Sequence, residues 1–391
     1  MKLVIFGSSV AGGAGAENSH GWAAMLKAKL EQREWTVVNR SIGGDNTTKL
    51  MARFESDLLP EKPDMVILAL SLGNEGIMGE GASVYRQYVR NMHKLVQMCR
   101  KNQIIPIVSN CYPNGNYEPE HHDYLRRFNE TLNTWSVASI DFLGAIDDGH
   151  GRWPEGTWTD AGHPNSLGHA EMFQAIPLSL FDHLIDEHYQ LPQMAQGGLQ
   201  CGGNAENACW LSYTPDSPMH SFSLAFRAQP SGTPEPGAVI ASCDGCRIAV
   251  GVSGHWELQL ADGAALPSAI TAAADQAYEI GLTHSYTNRE LALYINGTLV
   301  GKLPGRLLPE QGLIGGGRTA PGPQGLYQRV LIYRSCLDAE AMESLAKGNV
   351  LRSSLELYAP LNDATVRDGV PLTNHAQTGA EMVVLTGSRD K

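Results

Sequence analysis

The sequence predicts an α/β domain with a parallel sheet, followed by an all-β domain. Up to about residue 188, short apolar runs alternate with amphipathic stretches; after residue 208, short alternating runs are separated by turn residues. A chain of 391 residues is long enough for two domains that each bury a core. We therefore expect domains at 1–188 and 209–391, joined by a linker at 189–208.

Five apolar runs predict the strands of the first domain: KLVIF (2–6), TVVN (36–39), DMVILAL (64–70), QIIPIVS (103–109) and SIDFL (139–143). Between the third and fourth runs, apolar residues recur at helical spacing from Val84 to Cys99 and predict an amphipathic helix. Apolar strands that alternate with helices indicate a parallel sheet covered on both faces. In such sheets, ligands bind at the carboxyl ends of the strands.

The segment 189–208 has no sustained periodicity and is rich in Gly and Gln, which is typical of a linker. Beyond it, runs such as FSLAFRAQ and RIAVGV alternate at strand spacing, and ELALYINGTLVGKL predicts a hairpin with Asn-Gly at its tip. Many short strands at regular spacing indicate an antiparallel sandwich or jelly roll.

Composition narrows the possible partners. The net charge of −12 argues against nucleic acid, because phosphate neutralisation requires clustered Lys and Arg. No apolar run approaches the ~20 residues that span a bilayer, and the start of the sequence lacks the pattern of a signal peptide. We therefore expect a cytoplasmic protein that binds neither membranes nor nucleic acids, with homo-oligomer formation left open.

The seven cysteines leave at least one unpaired within the chain. Cys243-Asp-Gly-Cys246 has the spacing of half a zinc site, but Asp-Gly between two apolar runs favours a hairpin in which the two thiols are cross-strand neighbours. A disulfide and a metal site shared with Cys201 and Cys209 stay open as alternatives.

The stretch IFGSSVAGGAG (5–15) follows the first predicted strand and raises the question of a phosphate loop or a nucleophile. The strings GxxxxGK[ST], GxSxG and HExxH are absent from the chain, and Asn18 occupies the third position of a possible GxGxxG. A serine at the end of a strand can instead act as a nucleophile if a base, an orienting acid and oxyanion donors lie nearby.

Three later segments offer these groups. WTDAGHPNSLGH (158–169) holds Asp160 and His163 three residues apart, so the carboxylate can fix the imidazole tautomer. NRSIGGDNT (39–47) and LSLGNEG (70–76) each follow a predicted strand. Gly44 can present an open backbone N–H, and Asn74 a side-chain amide.

These four blocks, in this order, resemble the SGNH (or GDSL) hydrolase family of serine esterases and lipases over about the first 188 residues. The resemblance implies a flavodoxin-like three-layer sandwich, with Ser9, Asp160 and His163 as the catalytic triad. It also implies an oxyanion hole formed by the N–H of Ser9, the N–H of Gly44 and the Asn74 amide, without metal or cofactor. The chain departs from the family pattern at Ser8, which stands where Asp is usual, and at Glu75, which follows Asn74 where the family often has Asp.

The second domain resembles a concanavalin A-like or laminin G-like jelly roll in its strand pattern and in LYQRVLIYRSCLDAEAMESLAKG, where a strand leads into a short helix. Such sandwiches often bind glycans through exposed aromatic residues and polar loops. The aromatic candidates, each also a candidate for the core, are Trp210, Trp256, Tyr286 and Tyr327. A structural role for this domain, as a dimer surface or a wall beside the esterase cleft, is an open alternative. The potential metal ligands His121, His122, Asp123, Asp147 and Asp148 are interpreted as solvated polar residues.

The expected function is hydrolysis of a short acyl ester, acetyl above all, on a carbohydrate or related polyol. Its partner would be a small-molecule or oligosaccharide ester. One alternative is a hydrolase of short-chain lipids or simple esters, or an acyltransferase that uses the same residues. An alternative of another class is a glycan-binding protein whose first domain is catalytically idle.

Overall fold

The computed structural model describes residues 1–186, 192–203, 208–215, 217–317, 320–362, 365, 367–376 and 378–387. The chain divides into two compact units. The first unit consists of Met1–Leu178 together with Arg352–Ser354, and the second of Ser179–Leu351 and Leu355–Lys391.

The first unit is built on a five-stranded sheet in the order β2-β1-β3-β4-β5, and every pairing is parallel. The strands are β1 (Lys2–Gly7), β2 (Thr36–Asn39), β3 (Met65–Ala69), β4 (Ile105–Ser109) and β5 (Ala138–Ile140). Strand β3 is buried along its whole length, as expected for a central parallel strand covered on both faces. The predicted α/β class is confirmed.

The prediction of the last strand, SIDFL (139–143), is wrong for its second half. Residues Phe142–Ile146 form a short helix, because Asp141 caps it by accepting the N–H of Gly144 at 2.9 Å. The Asn110 side chain accepts the N–H groups of Phe142 and Leu143 at 2.7 and 3.1 Å. These two polar side chains turn an apolar run away from the sheet.

Seven α-helices accompany the sheet: α1 (Trp22–Glu31), α2 (Thr47–Ala52), α3 (Ile77–Glu80), α4 (Ala82–Lys101), α5 (Pro119–Thr134), α6 (Phe142–Ile146) and α7 (Ser166–Gln174). The predicted amphipathic helix is confirmed as α4, whose apolar stripe from Val84 to Cys99 is buried. Helix α7 is capped by Asn165, which accepts the N–H groups of Leu167 and Gly168. A short antiparallel pair, β6 (Trp158–Asp160) and β7 (His163–Pro164), precedes α7.

The segment Arg352–Ser354 completes the first unit from far along the chain. Ser354 Oγ accepts the N–H of Asp141 at 2.8 Å and donates to the Ala175 carbonyl at 2.7 Å. Arg352 donates its N–H to Asn133 Oδ1 at 2.6 Å, and Ser353 Oγ lies 2.7 Å from Ser139 Oγ. This segment therefore satisfies polar groups at β5 and at the carboxyl end of α5.

The second unit is an antiparallel all-β fold of the jelly-roll type. Its strands are β8 (Leu199–Gly203), β9 (Cys209–Thr214), β10 (Phe222–Pro230), β11 (Val239–Cys243), β12 (Cys246–Val250), β13 (His255–Leu260), β14 (Ala265–Thr271), β15 (Tyr278–Ser285), β16 (Glu290–Ile295), β17 (Thr298–Pro304), β18 (Gly312–Ile314), β19 (Gly322–Tyr333), β20 (Leu355–Ala359), β21 (Val370–Pro371) and β22 (Glu381–Thr386). Two helices, α8 (Leu180–Asp186) and α9 (Ala339–Ala346), belong to the same unit.

The strands pair in the order β14-β13-β12-β11-β18-β9-β8-β19-β10-β15-β16-β17, with β20 on β19 and β22 on β9. Strand β8 lies inside the segment that the sequence predicts as a linker, where it pairs with β19 and β9. Residues 187–191 and 204–207 of the surrounding region lie outside the described residues. Large apolar side chains of both halves of this order share one core, among them Phe226, Trp256 and Tyr327.

Both predicted hairpins are confirmed. Asn296 and Gly297 connect β16 to β17 with φ angles of 53° and 76°, as a two-residue type I′ turn requires. Cys243 and Cys246 face each other across the Asp-Gly turn, with their Sγ atoms 3.3 Å apart. Cys201 and Cys209 form a second close pair at 2.9 Å, and all seven cysteines are free thiols.

Among the described residues, none of the helices combines the length and apolar content needed to cross a bilayer.

Candidate active site

Ser9 lies in the first turn after β1, at the carboxyl edge of the sheet. The chain stays paired with β3 as far as Ser8, whose N–H donates to the Ala69 carbonyl at 3.3 Å. It then turns, and the carbonyl of Ser9 accepts the N–H of Ala14 at 3.0 Å. Gly7 is required at this point, because a Cβ there would lie 2.3 Å from the Ala69 oxygen. The half-buried Ser9 hydroxyl is thus held at the sheet edge.

His163 joins Ser9 to Asp160. Its Nε2 lies 3.0 Å from Ser9 Oγ, and its Nδ1 lies 2.9 and 3.0 Å from the two carboxylate oxygens of Asp160. Because a carboxylate can only accept, the Nδ1–H tautomer is favoured and Nε2 remains an acceptor for the serine proton. The hydrogen bond from His163 holds the pKa of Asp160 below its usual value. The structure therefore brings the three predicted triad residues together.

The turn that carries Asp160 and His163 is anchored on the loop that follows Ser9. Thr159 Oγ1 donates to the Gly15 carbonyl at 2.9 Å, and Ser166 Oγ accepts the N–H of Glu17 at 2.9 Å. Between these two bonds, position 15 has no room for a side chain, because a Cβ there would lie 2.2 Å from the Pro164 oxygen. The nucleophile loop and the histidine loop consequently pack as one surface.

His169 strengthens the same contact, and the sequence reasoning gave it no role. It is fully buried, donates from Nε2 to the Ala14 carbonyl at 3.0 Å and accepts the N–H of Trp22 at Nδ1. Burial lowers the pKa of His169, so the neutral imidazole that this pattern requires is maintained. The signal in the sequence that could have indicated this role is the position of His169, one turn into α7 and six residues after His163.

Gly44 and Asn74 lie on the two neighbouring loops. A Cβ on Gly43 would lie 3.9 Å from the Cβ of Ser9, so this loop borders the serine directly. Gly44 has a φ of 76°, and Asn74 Nδ2 donates to the Asp45 carbonyl at 3.0 Å, which leaves its second N–H available. Among the described residues, the backbone N–H groups of Ser9 and Gly44 have no hydrogen-bond partner.

Charged side chains hold the Gly44 loop and the Asn74 loop in place. Arg53 donates to Asp45 at 2.6 Å, and its guanidinium lies 4.1 Å from the centre of the Phe6 ring. Glu75, which stands where the family often has Asp, accepts the N–H of Thr47 at 2.9 Å. Glu75 thus ties the Asn74 loop to the start of α2 and has a structural role that its position in the motif did not predict.

Ser8, at the position of the usual aspartate, is buried with its Oγ 3.2 Å from the hydroxyl of Tyr112. Burial raises the pKa of Tyr112 to about 12, so the pair consists of two neutral hydroxyls. The departure from the family pattern therefore leaves no buried charge beside Ser9.

The residues interpreted as solvated are mostly structural. His121 is buried and accepts the N–H of Glu118 at Nδ1 as part of a capping box at the start of α5, so the interpretation is wrong for it. His122 Nε2 lies 3.0 Å from Asp147 Oδ2. The described residues contain no group of three or more His, Cys, Asp or Glu arranged to hold a metal.

The aromatic candidates of the second unit are mostly core residues. Trp210, Trp256 and Tyr327 are at most 2% exposed and are not available to stack on a sugar. Tyr286 is half-buried, with the His220 ring stacked at 4.1 Å and the Arg306 guanidinium 4.3 Å from its centre.

Comparison with known proteins shows which family the first unit resembles. Residues 5–171 match the GDSL-like Lipase/Acylhydrolase family. Esterase TesA of Pseudomonas aeruginosa is 30% identical over 129 residues, which cover 32% of this chain and 62% of that protein. Thioesterase 1/protease 1/lysophospholipase L1 of Escherichia coli (strain K12) is 28% identical over 131 residues, 34% of this chain and 57% of that protein.

A crystal structure of TesA covers 44% of this chain and 94% of its own, at 23% identity and a TM-score of 0.39. The chain spans less than two thirds of the length of the two curated relatives. The family match lies entirely within the first unit. The likeness to the GDSL-like Lipase/Acylhydrolase family therefore concerns residues 5–171, the part of the first unit that holds Ser9, Asp160 and His163.

Proposed function

We propose that the protein is a serine ester hydrolase, with Ser9 as nucleophile, His163 as general base and Asp160 as the orienting acid. The observation that carries this proposal is the unbroken hydrogen-bonded series of 3.0 Å from Ser9 to His163 and 2.9 Å from His163 to Asp160. Both distances lie within the reach that proton transfer requires.

In the proposed reaction, His163 Nε2 takes the hydroxyl proton as Ser9 Oγ attacks the ester carbonyl. The carbonyl oxygen becomes an oxyanion that accepts from the N–H of Ser9, the N–H of Gly44 and the free N–H of Asn74. Collapse of this intermediate expels the alcohol, which receives the proton from His163, and leaves an acyl-serine. Water, activated by the same imidazole, then releases the acid and restores Ser9.

We propose a short acyl group, acetyl above all, carried by a carbohydrate or related polyol. This choice is supported by the jelly-roll type of the second unit, which is a fold-level analogy to glycan-binding modules. The buried state of Trp210, Trp256 and Tyr327 removes aromatic stacking by these residues as a support. A glycan would have to be bound by polar loops, as a laminin G-like or concanavalin A-like module would do.

A second candidate substrate follows from the names of the relatives. One of them is described as a thioesterase and lysophospholipase, so a longer acyl chain on a thiol or lysolipid is the rival substrate. A panel of acetylated oligosaccharide, p-nitrophenyl acetate, long-chain acyl thioester and lysophosphatidylcholine distinguishes the two. The acetyl proposal fails if kcat/KM is highest for either long-chain substrate.

The mechanism is tested by fluorophosphonate labelling with peptide mapping, alongside turnover of p-nitrophenyl acetate. We expect the adduct on Ser9 and loss of turnover in Ser9→Ala and His163→Ala, with Ser8→Ala as the matched neighbour control. An adduct on Ser8 would shift the nucleophile by one residue. A chain that is neither labelled nor active, yet binds glycan, would favour the catalytically idle binding protein. The cytoplasmic location remains a prediction, which cell fractionation tests.

A further inference from the structure

The carbonyl of Ala161 receives two hydrogen bonds at the centre of the turn between Asp160 and His163. Trp153 Nε1 donates to it at 3.0 Å, and the N–H of Gly115 donates to it at 2.7 Å. These donors come from two segments outside the four family blocks: the loop after α6 and the loop after β4. The turn is therefore held at its own backbone as well as by its side chains.

The loop that presents Trp153 is internally ordered. Asp147 Oδ1 accepts the N–H of Gly151 at 2.7 Å, and Asp148 Oδ1 accepts the N–H groups of His150 and Arg152 at 2.8 and 3.1 Å. Trp153 itself is only 4% exposed. An indole N–H on such a rigid support has a fixed direction, which is what a positioning group needs.

The Trp153 ring is also connected, through Tyr112, to the residue beside the proposed nucleophile. The ring of Trp153 stacks on Tyr112 with a centroid distance of 6.0 Å and an interplanar angle of 19°. The Tyr112 hydroxyl lies 3.2 Å from Ser8 Oγ, next to Ser9. One indole therefore contacts both halves of the site: the acid–base turn by a hydrogen bond, and the nucleophile loop through Tyr112.

We propose that Trp153 is a positioning residue for the acid–base turn, acting through the Ala161 carbonyl to hold Asp160 and His163 in line with Ser9. This inference rests on the proposed function of that site. Without the indole N–H, the Ala161 carbonyl keeps only the Gly115 bond, and the centre of the turn gains freedom to rotate about it. A displacement of about 1 Å at His163 is enough to cost about 10²-fold in rate.

The test compares Trp153→Phe, which removes the donor and keeps an aromatic ring, with Trp135→Phe as the control. Trp135 is a half-buried indole of the same unit that packs on Phe128. We expect Trp153→Phe to lower kcat for p-nitrophenyl acetate by about 10- to 100-fold with KM changed less than about threefold. If Trp153→Phe does not fold, benzothienylalanine at position 153 removes the N–H without changing the ring shape.

A second measurement separates this inference from the proposed activity. Because the His163 hydrogen bond lowers the pKa of Asp160, a loosened turn raises that pKa towards its ordinary value. The Asp160 carboxyl carbon, followed by NMR in wild type, Trp153→Phe and Trp135→Phe, reports this shift even if the protein has no esterase activity. A shift in Trp153→Phe alone supports the positioning role. An Asp160 titration identical in all three proteins overturns it.

Discussion

Replacement of Gly15 by alanine tests the packing of the nucleophile loop on the histidine loop. The Cβ introduced by Gly15→Ala would lie 2.2 Å from the Pro164 oxygen and 3.0 Å from the Cβ of His163. Both atoms that it meets are rigid, since one is a backbone oxygen and the other is the first carbon of the imidazole side chain. The strain therefore has to be relieved by movement of β7, which carries His163.

The expected loss of activity follows from the 2.2 Å distance between the new Cβ and the Pro164 oxygen. Cβ contacts closer than 3.0 Å essentially never occur, so Pro164 and His163 retreat from Gly15 by about 1 Å. The Nε2–Oγ distance, 3.0 Å in the native protein, then approaches about 4 Å, which is beyond hydrogen-bond reach. We expect kcat/KM to fall about 10²-fold. Gly15 also has a φ of 88°, where alanine costs about 1–2 kcal/mol in stability.

Gly156→Ala is the matched control. Gly156 has a φ of 80°, but a Cβ there meets nothing within 4 Å, so it isolates the backbone cost from the collision. Steady-state kinetics with p-nitrophenyl acetate and thermal unfolding are measured for both variants. We expect Gly15→Ala to lose more stability than Gly156→Ala, because only Gly15→Ala adds a collision to the backbone cost, and we expect the loss of kcat/KM in Gly15→Ala alone. A folded Gly15→Ala variant as active as Gly156→Ala would refute the reasoning.

Three further predictions concern charge, two of them at Asp160 and one at Arg334. Asp160→Asn should lower kcat roughly 10²-fold or more, because the amide no longer fixes the Nδ1–H tautomer. Since the pKa of Asp160 is lowered in the folded protein, its contribution to stability is present above the ordinary carboxylate pKa and lost as pH falls through the folded one. The urea midpoints of wild type and Asp160→Asn should differ above the ordinary carboxylate pKa and converge as the pH falls through the lowered pKa of Asp160; a constant gap would contradict this linkage. Arg334→Met leaves Glu356 buried without its 2.6 and 2.8 Å ion-pair contacts and should destabilise the second unit by about 3–5 kcal/mol. The exposed pair of Lys302 and Glu290 supplies the control Lys302→Met. Its free energy of unfolding, measured by calorimetry, is expected within about 1 kcal/mol of wild type. Equal losses of stability in the two variants would show that burial does not decide the effect.

The sequence predicted those elements whose local pattern and tertiary environment agree. Strand β3 is an uninterrupted apolar run because both of its faces are covered, and α4 buries the stripe that its periodicity shows. The Asn296-Gly297 turn is encoded by two residues that tolerate positive φ. The pairing of Asp160 with His163 was likewise local, since three residues of spacing are enough to bring the side chains together.

The features of the fold and of the candidate site that the sequence did not predict depend on contacts between residues that are distant along the chain. Phe142 and Leu143 have apolar side chains typical of a strand, yet Asn110 accepts hydrogen bonds from their backbone N–H groups. Asp141 accepts the N–H of Gly144 in the helical turn that follows. Strand β8 has little apolar character and forms because β19 and β9 provide partners. The bonds from Thr159 to Gly15 and from Trp153 to Ala161 join loops whose proximity no local pattern encodes.

The segment Arg352–Ser354 has a consequence for synthesis of the chain. Its hydrogen bonds to Asn133, Ser139, Asp141 and Ala175 are part of the first unit, although 179 positions separate Ser354 from Ala175. During translation, the rest of the first unit emerges without these hydrogen bonds, which can form only after most of the second unit has been made. A shortened gene that ends at Leu178 would therefore encode a domain without one of its own stabilising segments, because the ribosome delivers that segment only after residue 351.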